Sequence, residues 1–229
     1  MYLGLGLRLG SSRVGVQSSS IPAAGLSLWL RADAGVTLSG SNVTSWADQS
    51  GNGKNATIYN SPPTLTTINS KNFISFNGIN QALSGNNVIS ALPCTIISVI
   101  RVVSYLDADL WFQQQETLSL YANGNVFGWT AYNGEQFESN DAPWSINTTQ
   151  LATTIFNGGS SQHFHNGSLA GEGDSGSDEP AGPYYLSYYV GDDSYKNYDI
   201  GEIIIYNRVL ATLERQQVED YLNAKYAIY

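Results

Sequence analysis

From Gly25 onward, short runs of strand-forming residues alternate with clusters of Gly, Asn, Asp and Pro. The runs occupy residues 26–31, 43–47, 73–76, 95–103, 110–113, 117–121, 126–131, 152–156, 162–165, 184–190 and 200–206. Many short strands separated by turn residues are typical of antiparallel β-sandwiches. The sequence therefore predicts an all-β fold made of two antiparallel sheets.

Two local patterns add detail to this prediction. Asn166 and Gly167 stand between two of the runs, and Asn-Gly is the pair that a type I′ hairpin turn prefers. Residues 212–226 are the one convincingly helical stretch, with Val218, Tyr221 and Leu222 on one face. We expect one hairpin at Asn166 and one C-terminal helix that packs on the sandwich.

Residues 1–24 differ in kind from the rest of the chain. Leucines alternate with Gly and Arg, so that one face of an extended strand would be apolar. Such an edge tends to pair with a neighbour. We predict two parts, an extended N-terminal arm with linker at 1–24 for assembly or anchoring, and a folded domain at 25–229. The arm residues assigned to assembly are Leu3, Leu5, Leu7, Leu9, Arg8 and Arg13.

Charge is spread unevenly along the 229 residues, which carry 10 Lys+Arg against 19 Asp+Glu and a net charge of −9. Lys196 is the only Lys or Arg between Asp107 and Glu202. An acidic central region repels nucleic-acid phosphates and anionic lipids. No apolar run approaches the roughly 20 residues that span a bilayer. We therefore predict no nucleic-acid partner and no membrane insertion.

Three stretches resemble the concanavalin-A-like (laminin-G-like) jelly-roll family, the lectin/glucanase superfamily that also occurs in phage structural proteins. They are residues 28–33 with 43–56, residues 73–78 leading to Leu83, and residues 201–210 leading into 214–222. Their order and spacing match the family and bracket about residues 25–226. The resemblance implies a two-sheet jelly-roll sandwich, and it covers glycan-binding as well as enzymatic members.

Catalysis is not expected. Retaining glucanases of this superfamily carry Glu-x-Asp-x-x-Glu on one strand, because the nucleophile and the acid/base must lie about 5–5.5 Å apart. That string is absent, and Glu135 and Glu138 are spaced so that they would point to opposite sides of a strand. We predict no catalytic residue, and a glycoside hydrolase is the least favoured function.

Calcium is a candidate ligand, since Asp and Asn side chains supply the hard oxygen atoms that this ion prefers. The candidate ligands are Asp48, Asn52 and Asn55. The same stretch also fits an Asx-type turn in which Gly51 and Gly53 adopt positive φ. Apart from calcium, no cofactor is expected.

Glycan binding is the chemistry that the Tyr-rich stretch 184–198 suggests, because strand alternation sends some of these rings outward. Aromatic rings beside carboxylates suit sugar recognition. The candidate glycan-binding residues are Trp129, Tyr132, Asp192, Asp193, Tyr195 and Tyr198.

Two functions follow, and they are compatible. The leading hypothesis is a non-enzymatic bacteriophage virion protein, a decoration, fibre or tail component, whose lectin-like domain is anchored by the arm. It rests on Met1, on the absence of a signal-peptide pattern and on the Gly/Leu arm. Its partners would be copies of itself, other virion proteins and a host-surface polysaccharide, and its location the virion after synthesis in the host cytoplasm. The alternative is a carbohydrate-binding module for a surface glycan, with an extracellular location.

Overall fold

The computed structural model describes residues 21–104, 109–123, 128–139 and 145–229. The six arm residues assigned to assembly lie outside this part of the chain. The strands are β1 (Leu26–Arg31), β2 (Val36–Ser39), β3 (Asn42–Trp46), β4 (Ala56–Ile58), β5 (Thr64–Ile68), β6 (Lys71–Ser75), β7 (Leu83–Gly85), β8 (Cys94–Val102), β9 (Asp109–Gln114), β10 (Leu118–Asn123), β11 (Gly128–Tyr132), β12 (Gln136–Ser139), β13 (Thr149–Phe156), β14 (Ser161–His165), β15 (Ser168–Gly173), β16 (Tyr184–Leu186), β17 (Tyr188–Tyr189), β18 (Ser194–Tyr195) and β19 (Tyr198–Tyr206), and helix α1 spans Thr212–Tyr226.

The strands form two antiparallel layers, as predicted. The front sheet has the order β2–β3–β4–β7–β16–β9–β10–β11–β12. The back sheet has the order β1–β19–β8–β13–β14–β15, and the β5–β6 hairpin pairs with the start of β19. One backbone pairing, Asn42 with Thr64, joins the layers at an edge. The fold is thus an all-β sandwich with a single helix among the described residues.

The apolar side chains fill two layers on either side of the back sheet. Ile203 and Ile205 point into the main core, where they meet front-sheet residues such as Trp46 and Phe112. Ile204 and Tyr206, one position along, point the other way and pack under α1. Strand β19 is buried along its whole length because it is covered on both faces.

A buried carboxylate fixes the helix on the back sheet. Glu202 is fully buried on β19 and accepts hydrogen bonds from Trp29 Nε1 at 2.6 Å, Tyr221 OH at 3.1 Å, Lys225 Nζ at 2.6 Å and Tyr226 OH at 3.3 Å. Burial, followed by the negative charge of Glu202, raises the pKa of Tyr221 and Tyr226, so both phenols stay protonated as donors. A buried charge is tolerated when its lone pairs are satisfied in this way.

Two local predictions are confirmed by the backbone. Helix α1 has the limits expected from the sequence. Asn166 and Gly167 have φ values of 49° and 78° between β14 and β15, the left-handed pair that a type I′ turn requires.

The folded region begins earlier than the predicted boundary at residue 25. Ile21 is buried in the layer beneath α1. Tyr206 OH donates to the Pro22 carbonyl at 2.9 Å, and Arg208 Nε donates to the Ala24 carbonyl at 2.8 Å. Residues 21–24 therefore pack with the domain and do not form a free linker. Across the described residues, no helix is long and apolar enough to cross a membrane.

Replacing Glu202 with Ala should lower the free energy of unfolding by about 3–5 kcal/mol, because buried Tyr226 and three half-buried donors lose this acceptor. Urea denaturation followed by tryptophan fluorescence measures the change. Asp220→Ala, an exposed acid on the same helix, is the matched control and should change the stability by less than about 0.5 kcal/mol. Equal stabilities of the two variants would contradict the role assigned to Glu202.

His163 predicts a loss of stability in mild acid. The ring is buried on β14 with Nδ1 2.7 Å from Thr154 Oγ1, and burial, with a smaller effect of His165, lowers its pKa to about 3. The unfolded chain takes up this proton near pH 6.5, whereas the folded chain does not, so stability falls as pH drops below 6.5. Between pH 7.5 and 5.5 the loss should be about 1.4 kcal/mol. Urea midpoints at both pH values measure it, and His163→Gln should show a smaller change; an unchanged pH dependence would contradict the assignment.

Candidate functional site

The outer face of the front sheet carries a row of polar and aromatic side chains. Residues directly opposite in register share one face of a sheet. The row across the strands is Thr37, Ser45, Thr57, Ser84, Tyr185, Gln113, Ser119 and Tyr132. The next row, with Leu83, Leu186, Phe112 and Leu120, points into the core. Strand alternation thus places the apolar residues inward and leaves a hydroxyl-rich platform outside.

A short hairpin formed by β17 and β18 lies over part of this platform, and we call it the cover hairpin. Its Val190 N–H donates to Gln113 Oε1 at 3.0 Å, and Ser187 N–H, just before it, donates to the Trp111 carbonyl at 3.3 Å. Gln113 and Ser119 are buried for this reason, although they lie on the outer face. The cover hairpin therefore covers Gln113 and Ser119 in the middle of the platform. It separates the outward-facing residues of β2, β3, β4 and β7 from Tyr132 on β11.

Four tyrosines meet at the cover hairpin, two of them on the hairpin itself. We call this group, Tyr59, Tyr185, Tyr188 and Tyr195, the tyrosine cluster. Tyr188 lies at the centre, with ring centroids 4.7 Å from Tyr59, 5.4 Å from Tyr185 and 5.1 Å from Tyr195. Tyr59 and Tyr185 contact each other edge to face at 5.1 Å. Tyr188 is 4% exposed and supports the others, whereas Tyr59 is 43% exposed and presents its ring to solvent.

Hydrogen bonds fix the orientation of these rings. Tyr188 OH donates to Asp193 Oδ1 at 2.7 Å, and the hydroxyl oxygens of Tyr59 and Tyr188 are 3.4 Å apart. Asn60 Nδ2 donates to Tyr195 OH at 2.8 Å. Burial, and then the bond to Asp193, raises the pKa of Tyr188, which stays a neutral donor. The cluster therefore combines held aromatic faces with phenol, amide and carboxylate groups at their edges.

The structure brings together only part of the predicted glycan-binding set. Tyr195 belongs to the tyrosine cluster, Asp193 holds Tyr188, and exposed Asp192 lies in the same turn. Tyr132 shares the outer face, three strand spacings and so roughly 14 Å from Tyr185. Trp129 lies in β11, and its side chain is outside the described part of the structure.

The assignment of Tyr198 to a glycan site is wrong. Its side chain is fully buried in the main core, with its ring centroid 6.1 Å from that of Trp111. The physical reason is that Tyr198 starts β19, which belongs to the back sheet and is covered on both faces. A ligand in solvent cannot reach it.

Sequence reasoning missed Tyr59 and Asn60 entirely. These residues follow β4, and only the pairing of β4 with β7, and of β7 with β16, brings them beside Tyr185. Tyr185 and Tyr188 were inside the Tyr-rich stretch, and strict alternation could have marked Tyr185 as outward-facing. No local signal points to Tyr59.

The candidate calcium residues form a tightly bonded turn. The two carboxylate oxygens of Asp48 accept hydrogen bonds from the backbone N–H groups of Trp29, Ser50 and Lys54 and from the Ser50 hydroxyl, at 2.8–3.0 Å. Asn55 Oδ1 accepts the Asp48 N–H at 2.9 Å, and Asn52 Nδ2 donates to the Leu26 carbonyl at 2.9 Å. This geometry favours the Asx-type turn. Calcium binding stays a prediction, and the ion would have to displace these donors.

Comparison with known proteins finds structures of similar fold but no related sequence. No family model matches the chain, and no curated protein matches its sequence. The chain is similar in fold to Trypanosoma rangeli sialidase (TM-score 0.65, 16% identity, 90% of this chain and 34% of that chain). It is also similar to the binding domain of Paraclostridial Mosquitocidal Protein 1 (TM-score 0.66, 14% identity, 87% of this chain and 53% of that chain).

A third similar structure is domain 4 of AbnA, a GH43 extracellular arabinanase from Geobacillus stearothermophilus, in complex with arabinotriose (TM-score 0.63, 12% identity, 86% of this chain and 98% of that chain). The chain spans about a third of the sialidase length but nearly all of the arabinanase domain. At these identities the likeness shows a shared β-sandwich fold. It supports the sandwich part of the resemblance described above and does not bear on the bacteriophage part.

Proposed function

We propose that this protein is a carbohydrate-binding module whose ligand lies on the tyrosine cluster. The observation that carries the proposal is the convergence of four tyrosines, from the segment after β4, from β16 and from both strands of the cover hairpin. Buried Tyr188 contacts exposed Tyr59 and holds its ring in place at the surface. An exposed ring with a fixed orientation is suited to recognition.

The chemistry of the site matches that of a sugar. A pyranose or furanose ring presents C–H groups on its faces and hydroxyls around its rim, so it needs an aromatic face beside polar partners. Tyr59 supplies the exposed face, and Asn60 and Asp193 supply polar atoms beside it. Exposed Thr57 and half-buried Ser84 extend the surface with hydroxyls in the direction away from the cover hairpin.

The arabinanase domain supports this proposal from a different direction. It is a sandwich of similar size, and it was solved with arabinotriose bound. A fold of this kind is therefore a suitable scaffold for an oligosaccharide site, and the site on this chain is argued from its own residues.

The proposed role is binding without turnover. A retaining glycosidase needs two carboxyl groups about 5–5.5 Å apart across the ligand. At the tyrosine cluster the described carboxylates are Asp192 and Asp193, which are consecutive in one turn, and Asp193 already accepts the Tyr188 hydroxyl. This part of the proposal is tested by incubating the protein with any polysaccharide that it retains and measuring reducing ends. None should be released.

Tyr59→Ala and Tyr185→Ala should each weaken binding of a retained oligosaccharide by about tenfold or more, since each removes an aromatic surface of the cluster. Affinity electrophoresis through gels that contain the polysaccharide gives the dissociation constant. The fold should persist, because Tyr59 is exposed and Tyr185 half-buried.

The matched control is Tyr229→Ala, which removes an exposed tyrosine that contacts Gly167 at the β14–β15 turn. Its retention should equal that of the wild type. If Tyr59→Ala and Tyr185→Ala bound as tightly as Tyr229→Ala, the tyrosine cluster would not be the binding site.

A virion role is a second and compatible proposal, and it rests on the sequence of the arm. In it, the leucine face at Leu3 to Leu9 pairs with neighbouring subunits and displays the sandwich on a phage particle, whereas a free module would act outside the cell. The chain without residues 1–20 should then be a folded monomer, and the full chain should assemble. Light scattering measures both masses, and equal monomeric masses would contradict the assembly role.

A further inference from the structure

We infer that the tyrosine cluster selects neutral glycans and rejects chains that carry carboxylate or sulfate groups. This inference rests on the proposed function and specifies the ligand class of the same site. Its basis is the charge of the groups around the cluster. The side chain of Asp192 is exposed, and the carboxylate of Asp193 accepts a hydrogen bond from Tyr188 OH.

Side-chain recognition of anions relies on Arg and Lys, and the planar fork of Arg binds carboxylate and sulfate groups in a bidentate way. Each arginine in the described part of the chain is already in an ion pair. The pairs are Arg31 with Asp33, Arg101 with Asp199, Arg208 with Glu214 and Arg215 with Glu219. All four lie on the back sheet, on the segment that follows it or on α1, and so away from the outer face of the front sheet.

The lysines do not supply a cation at the tyrosine cluster either. Lys225 pairs with Glu202 and Asp33 beside α1, and Lys71 lies in β6. Lys196 follows the cover hairpin but is only 7% exposed. Lys54 precedes β4 and Tyr59 follows it, so five extended residues, roughly 16 Å, separate their backbones. The described residues therefore offer no exposed cation within the cluster.

The three internal segments outside the described residues do not alter the sign of the charge, whereas residues 1–20, also outside them, carry Arg8 and Arg13. Residues 105–108, 124–127 and 140–144 contain Asp107 and Asp141 and neither Lys nor Arg. At physiological salt, where the Debye length is about 8 Å, an anionic sugar within that distance of Asp192 and Asp193 meets repulsion that the salt screens only in part. A neutral sugar meets none and still finds the aromatic face of Tyr59.

The test begins with an array of neutral and anionic glycans, probed with the full-length wild-type chain. For a backbone that is retained, a matched pair follows, such as hydroxyethyl cellulose against carboxymethyl cellulose, or a desialylated against a sialylated glycoprotein. The neutral member should bind at least about fivefold more tightly at 50 mM NaCl, and the gap should narrow at 500 mM, because salt screens the repulsion.

Asp192→Lys provides the variant test. It should raise the affinity for the anionic member relative to that for the neutral member by about three- to tenfold, because it reverses a charge beside the cluster and leaves the tyrosine rings in place. Asp220→Lys makes the same charge reversal on exposed α1 and should change neither. The urea midpoint of Asp192→Lys, compared with that of Asp220→Lys, checks that the variant remains folded.

The outcomes separate the two proposals. Equal or tighter binding of the anionic member by the wild type would overturn the selectivity and leave the carbohydrate-binding function standing. An Asp192→Lys effect no larger than that of Asp220→Lys would also overturn it, since the local charge would not matter. Retention of no glycan on the array would overturn the proposed function and this inference with it.

Discussion

The buried carboxylate of Glu202 determines which surface of this sandwich is open. A fully buried charge on β19 needs several donors, and they come from two elements, Trp29 on β1 and the Tyr221, Lys225 and Tyr226 side chains on α1. These bonds hold the helix across the outer face of the back sheet. The part of that face beneath α1 is therefore buried and structural, and the proposed recognition surface is the outer face of the front sheet.

In the front sheet, side chains alternate along each strand between the core and the outer face. On β16, Tyr184 and Leu186 point into the core and Tyr185 points outward. Immediately afterwards Ser187 has a φ of 59°, which ends the alternation and turns the chain into the cover hairpin. The turn brings Tyr188 and Tyr195 back over the sheet. Left-handed residues before the hairpin and in its turn, Ser187 and Asp193, thus fold a Tyr-rich stretch into an aromatic cluster.

The parts of the fold that sequence predicted are those set by local chemistry. Asn166-Gly167 needs only its own φ preferences, and α1 needs only its apolar face and the residues that bound it. The cluster is different, because Tyr59 and Tyr188 are 129 residues apart and meet through two strand pairings. Tyr198 was misassigned because a Tyr-rich stretch was treated as one surface, whereas its two ends enter different sheets. Composition identifies such residues as aromatic, but only the pairing of strands decides which of them face solvent.

The charge of the chain bears on function through the same packing. With 10 basic residues against 19 acidic ones, the basic residues are the scarce partners. The arginines on the back sheet and α1 are taken up by ion pairs such as Arg101 with Asp199 and Arg215 with Glu219. In the described part of the chain, the outer face of the front sheet and the cover hairpin carry hydroxyls, amides, tyrosines and the carboxylates of Asp192 and Asp193. On the proposed function, a surface of that composition contributes aromatic contact and neutral hydrogen bonds to its ligand, so the charge of a sugar should affect whether it binds.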